Sequence, residues 1–212
     1  MRTNQGISVR RSYASGTIAA TESGGELGLD RERSTSLNMC TNIIGPRPGY
    51  SPQLGVLVSM LTWIRSALVE RVEGMTRADL DYLFDSGANS IGALLLHLAA
   101  TETYYQINTF EATNSNGWSD DMQRKWNPAM MLGDAGRNVI KGHDLDYYLN
   151  VLHETRENSL TGFRKRDDDW LMAVDQAWFW GPTNNYCKWF HVCEHESHHA
   201  GQIEIARRLR GS

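Results

Sequence analysis

His191-Val192-Cys193-Glu194-His195-Glu196-Ser197-His198-His199-Ala200-Gly201-Gln202-Ile203 is the stretch from which the rest of the chain can be read. Its apolar residues and its histidines recur at three- and four-residue steps, which predicts one long helix near the end of the sequence. His195 and His199 are four residues apart. That offset turns a helix by about 400°, so both imidazoles fall on one face roughly 6 Å apart along the axis. Two nitrogens so placed can close on a single ion at bond lengths of about 2 Å. His191 and His195 form a competing pair at the same spacing, while His191 and His199 stand about 12 Å apart and cannot share an ion. His198 is turned about 100° from His199, toward a neighbouring helix or solvent.

Outward from this stretch, the chain predicts an all-α fold. A first helix starts at Ser51 as N-cap with Pro52 at its first position, carries Leu54, Leu57, Val58, Leu61, Ile64, Leu68 and Val72 on its inner face, and ends at Gly74. Thr76 to Asp79 opens one short helical turn with Leu80 and Leu83. A second long helix begins at Asn89-Ser90 and reaches Phe110, with His97 embedded in Leu94-Leu95-Leu96-His97-Leu98. Residues 111–143 read as a long connection broken at Asn114 to Gly117, Trp118 and Asn127-Pro128, of the kind that more often covers a site than merely links elements. A third helix has Asp144 as N-cap and runs past Phe163. A fourth starts near Thr183 or Asn184 and ends in Arg207, Arg208 and Arg210 before Gly211, cations that complement its dipole. No convincing alternating strand is present. Four amphipathic helices predict a four-helix bundle over residues 51–212, preceded by an irregular extension over 1–50 rich in Gly, Ser, Thr, Arg and Glu.

Composition narrows the function. A net charge of −4 argues against a nucleic-acid partner. Three cysteines without CxxC spacing argue against a disulfide framework and for a cytoplasmic protein. Arg10-Arg11 is followed by only Thr17-Ile18-Ala19-Ala20, too short for an export signal, and Asn38-Met39-Cys40 lacks the apolar run of a lipoprotein signal. No 18-residue window reads as apolar enough to span a membrane, so no membrane partner is expected.

A single histidine among leucines is ordinarily a core residue with a hydrogen-bond partner. His97 together with the His195/His199 pair is different, because several buried imidazoles need something to satisfy their nitrogens. The expected site is therefore one divalent ion on His97, His195 and His199, with a coordination position left open. Zinc is the first choice, with nickel or iron also suited to imidazole. His195-Glu196-Ser197-His198-His199 also fits the H-E-x-x-H protease motif. Against that reading, the third histidine of the extended motif would fall at Ile205, only thirteen residues follow His199, and Glu196 is rotated about 100° from His195.

The stretches Asn89-Ser90-Ile91-Gly92, Leu96-His97-Leu98-Ala99 with Glu102, and His191 to Ile203 together resemble the DinB-like (DinB/YfiT-like) metalloenzyme superfamily, over roughly residues 51–210. The resemblance implies a three-histidine metal site in a bundle, with the second histidine pair followed by a small residue and Gly-Gln-Ile. It also implies, first, a thiol-dependent S-transferase that acts on a small electrophile through a metal-bound thiolate, with a low-molecular-weight thiol as cosubstrate. A hydrolase using metal-bound water, or a non-catalytic metal- or small-molecule-binding protein of stress response, fits the same motif. A homodimer is compatible with each.

Gln202 and Thr101, one turn beyond His199 and His97, are placed to orient a bound nucleophile, although both suit plain helix packing as well. Glu102, about 140° round from His97, reads as an interhelical partner rather than a base. Tyr104, Tyr105, Trp178 and Trp180 are pocket candidates whose spacing suits core packing equally.

Overall fold

A computed structural model describes residues 42–111 and 118–211, which contain eight helices and one two-stranded ladder. The chain separates into two units, Met1–Asn38 and Met39–Ser212, and every described residue belongs to the second. The extension expected over 1–50 therefore falls, up to residue 41, outside the described residues. From Asn42 on, the chain lies against the first helix: Ser59 Oγ donates to the Ile43 carbonyl at 3.4 Å, and Trp63 Nε1 to Asn42 Oδ1 at 3.1 Å.

The bundle is built from α1 (Pro52–Val72), α3 (Ile91–Phe110), α6 (Leu145–Phe163) and α8 (Asn185–Arg210). Helix α3 packs against α6 and α8, and α1 against α8 and α6. Two apolar clusters fill it, one around Leu94, Leu95, Leu152 and Ile203, the other around Leu57, Leu61, Phe163 and Trp189. Several boundaries follow from local chemistry. Ser90 Oγ accepts from the Ala93 amide at the start of α3, and Asn184 Oδ1 from the Cys187 amide at the start of α8. Gly211 closes α8 at φ 82°, where other residues are strained. Thr76 and Asp79 form a reciprocal capping box on the short α2 (Arg77–Leu80).

Four expectations are corrected. Ser51 stands at the N-cap of α1 but does not cap it; its hydroxyl donates to Asp168 Oδ1 at 2.5 Å, and that same carboxylate accepts from the amides of Gln53 and Leu54. An acid on α7 (Asp168–Met172) has taken over the role of the local serine. Asp144 likewise makes no cap bond and pairs with Arg77 at 2.8 Å. Residues 111–143 are not an irregular connection, because α4 (Asp120–Met131) and α5 (Gly133–Val139) occupy most of them. Finally, α1 does contain an 18-residue window of mean hydropathy 1.3, long and apolar enough by composition alone to cross a membrane. In the structure this helix packs on its bundle neighbours and carries Arg65 in an internal ion network. Two residues from each side form the ladder, Val174–Asp175 (β1) opposite Thr183–Asn184 (β2), antiparallel.

Candidate metal centre

Helices α3 and α8 run antiparallel, so one turn of α3 faces one turn of α8. That contact brings His97, His195 and His199 together: each offers one ring nitrogen, all within 4.8 Å of one another. His195 Nε2 is 3.1 Å from His97 Nε2 and 3.1 Å from His199 Nε2. Nitrogens bound at about 2.0–2.1 Å to a tetrahedral ion stand about 3.3 Å apart, so two edges of the triangle already approach that spacing. His191, the competing partner, is not in the cluster; its ring centroid is 5.5 Å from that of His195, and its Nδ1 meets Glu194 Oε2 at 3.1 Å. His198 is exposed and meets Gln202 Nε2 at 3.4 Å.

The outer nitrogens determine what the inner ones can do. His97 Nδ1 is 2.9 Å from the Ala129 carbonyl, and His199 Nδ1 is 2.8 Å from Gln202 Oε1. Both partners accept, so both Nδ1 atoms carry the proton and both Nε2 atoms turn a lone pair inward. His195 has at most one Nε2 proton to share between two such neighbours, which leaves at least one contact of lone pair against lone pair. Protonation is no remedy. Burial pushes His97 down, and burial together with the other imidazoles pushes His195 down to about 3 and His199 to about 4. Three neutral nitrogen donors, two of them fixed by outer hydrogen bonds, are the donor set a divalent ion requires, so the residues present fit a metal.

Thr101 lies on the same face of α3, one turn from His97, and is 7% exposed. Its Oγ1 is buried without a hydrogen-bond partner. Thr62, Thr103 and Thr109 instead bond back to the carbonyl four residues earlier, the usual resort of a helical threonine. Gln202 is exposed and spends its carbonyl on His199.

Glu196 and Glu102 face away from the histidines. Arg65 Nε donates to Glu196 Oε1 at 2.5 Å and Arg65 Nη2 to Glu102 Oε2 at 3.0 Å, while Arg156 Nε reaches Glu102 Oε1 at 2.7 Å and its Nη2 reaches Glu196 Oε2 at 3.0 Å. Each of α1, α3, α6 and α8 supplies one member. Burial alone would raise the Glu102 carboxyl; the charges of Arg156 and Arg65 outweigh it and hold the group at about 2. Sequence reasoning placed Glu102 between helices and Glu196 off the ion, but missed both arginines. Their signal was present: Arg65 follows Leu61, and Arg156 follows Leu152, at the four-residue step of the core stripe.

Of the four aromatic candidates, Tyr105 and Trp178 are buried in the second apolar cluster, whereas Tyr104 and Trp180 are not. A separate cavity of about 750 Å³ lies between α3, α4 and α6, lined by Leu96, Trp118, Trp126 and Tyr147 among others. Ala129, whose carbonyl holds His97, is one of its wall residues.

The family model for mycothiol-S-transferase matches residues 56–211, and the chain belongs to that family, a member of the DinB-like superfamily. No curated protein matches the sequence. Among solved structures, a conserved protein from Enterococcus faecalis shares the fold with a TM-score of 0.54 at 12% identity, over 73% of this chain and 94% of that one.

Proposed function

We propose that this protein is a divalent-metal-dependent thiol S-transferase, joining a low-molecular-weight thiol such as mycothiol to a small electrophile. The observation that carries the reading is the inward triangle of His97, His195 and His199 in a chain of this family. A zinc ion held there, with nickel and iron as alternatives, would lower the pKa of a coordinated thiol enough to give a nucleophilic sulfur near neutral pH. The sulfur–carbon bond forms as the bond from that carbon to its leaving group breaks; the leaving group departs with the electron pair, and the thiol proton passes to solvent.

The chain's own contribution is orientation. Ala129 and Gln202 hold two of the imidazoles in the tautomer that presents Nε2. The free hydroxyl of Thr101 is available to donate a hydrogen bond to the incoming sulfur or to the departing group. Cys193 takes no part as nucleophile, since burial pushes its thiol up to about 12. Cys187 and Cys193 are both free thiols, in keeping with a reducing cytoplasm.

The test is turnover of an alkyl halide by zinc-loaded protein with and without mycothiol, beside His199→Ala. Thiol-dependent product with wild type, lost in the variant together with bound zinc, is expected. Product formed equally without thiol identifies a hydrolase instead.

A further inference from the structure

Between β1 and β2 the chain forms a loop, residues 176–182, that carries Trp178, Phe179 and Trp180. Trp178 is 2% exposed and anchors the loop, its ring 5.8 Å from Tyr105 and 6.3 Å from Tyr104. Phe179 is 61% exposed and Trp180 46%, so neither owes its place to the core.

The base of this hairpin is clamped to α8. The buried Lys188 Nζ sits 2.8 Å from Asp175 Oδ2 and 4.0 Å from the centre of the Trp178 ring. Asn185 adds a bond from its amide to the Ala173 carbonyl. Burying a lysine is costly unless it is well paired, so this clamp is not incidental surface chemistry. Lys188 and His195 are seven residues apart, hence on nearly one face of α8 and about 10 Å apart along it. The clamp therefore sets the hairpin over the same face of α8 that holds the histidines. From there Trp180 reaches the stretch between: its ring stands edge-on, 5.0 Å from His191, and His191 is the next ring to His195 at 5.5 Å. On α3, Tyr104 is seven residues from His97 and so shares its face, and its ring lies 5.6 Å from Trp118. Trp180 and His191 thus make a partly exposed aromatic layer one turn from the triad along α8, with the Tyr105 ring 5.8 Å from His191, while Tyr104 stands two turns from His97 with the unpartnered Thr101 hydroxyl on the helix face between them.

We infer that this layer is the acceptor subsite and that Trp180 determines its specificity, favouring electrophiles whose reacting carbon belongs to a planar aromatic group. Flat aromatic faces and ring edges bind such a group by stacking and edge contact, and they offer little to a small polar one. The proposal rests on the S-transferase reading for its chemistry but not for its binding. With 1-chloro-2,4-dinitrobenzene the sulfur–aryl bond forms, the carbon–chlorine bond breaks, chloride leaves with the pair, and the thiol proton goes to solvent.

The test has two arms on zinc-loaded full-length protein. Calorimetry measures binding of unreactive 1,3-dinitrobenzene; kinetics measure the ratio of kcat/KM for 1-chloro-2,4-dinitrobenzene over iodoacetamide with mycothiol. Trp180→Ala is expected to weaken binding and lower the ratio about tenfold each, with Trp180→Phe recovering most of both. Trp63→Ala, which removes another exposed indole on α1, should change neither. Wild type that fails to bind the probe, or Trp180→Ala that binds it as tightly as wild type, overturns the proposal. So does a dimer that Trp180→Ala converts to monomer, since the face would then be a contact between copies. Binding that depends on Trp180 in a protein that transfers no thiol leaves the subsite standing and removes the S-transferase reading instead.

Discussion

His195 and Glu196 are adjacent in sequence and stand in opposite electrostatic situations. Glu196 points into the bundle, where two guanidinium groups, with Glu102 as the second acid, neutralise and hydrogen-bond it. That group of four is complete: two acids, two bases, and arginine bonds left over for the Leu152 and Leu61 carbonyls. His195, rotated about 100° around the same helix, joins two neutral imidazoles whose outer nitrogens are satisfied and whose inner ones oppose its own. Closed polar clusters of the first kind specify structure, whereas clusters with donor atoms turned inward and unmatched call for a ligand. The motif H-E-x-x-H therefore misleads when read as one unit. Its glutamate belongs to the ion network, and its histidines belong to the candidate site.

The contrast is broken most severely from the closed side. Glu196→Ala leaves the buried Arg156 and the half-buried Arg65 to share Glu102 alone and is expected to cost about 3–5 kcal/mol in urea unfolding. A smaller loss would mean that water enters the network. On the open side, the metal-free protein should lose stability as acid is added, beginning well above the carboxylate range. The histidines ionise near 6.5 when unfolded but only at about 4 and 3 when folded, for His199 and His195. The unfolded chain thus takes up protons first, and the stability these residues contribute above pH 6.5 falls away as the pH drops toward 4. Urea midpoints between pH 7 and 5 check this, and His195→Asn should flatten the slope.

Gln202→Ala sharpens the comparison further. It removes an outer hydrogen bond without touching the core, so zinc affinity measured by chelator competition should fall about 10- to 100-fold, while metal-free stability stays within about 0.5 kcal/mol. The smallest effect on folding belongs to Thr101→Val. Deleting an unpartnered buried hydroxyl should leave the unfolding free energy unchanged or slightly raised, yet lower thiol transfer.

What could be read from the residues follows the same division. The histidine spacing, the core stripes and the caps at Ser90 and Asn184 rest on local periodicity and short-range hydrogen bonds, which sequence displays directly. Helix α4 was hidden because Asn127-Pro128 looks like an interruption, although Met122, Trp126 and Ala129 keep a helical step through it. The caps expected at Ser51 and Asp144 failed because Asp168 and Arg77, far off in sequence, compete for those groups. The Ala129 carbonyl on His97 and the clamp between Lys188 and Asp175 are also contacts across distance, and no spacing rule announces them.

The four-membered ion group also governs how the molecule assembles. A bundle in which three helices have docked and the fourth has not would hold an unpaired charge in a dry interior, a state of several kcal/mol. Partly assembled forms are thereby disfavoured, and α1, α3, α6 and α8 are driven to close together in a single cooperative step. Because α3 and α8 cannot dock without satisfying Glu102 and Glu196, the turn that carries His97 arrives already in register with the turn that carries His195. The candidate site is thus aligned by the folding transition itself, with no ion needed to bring the three imidazoles together.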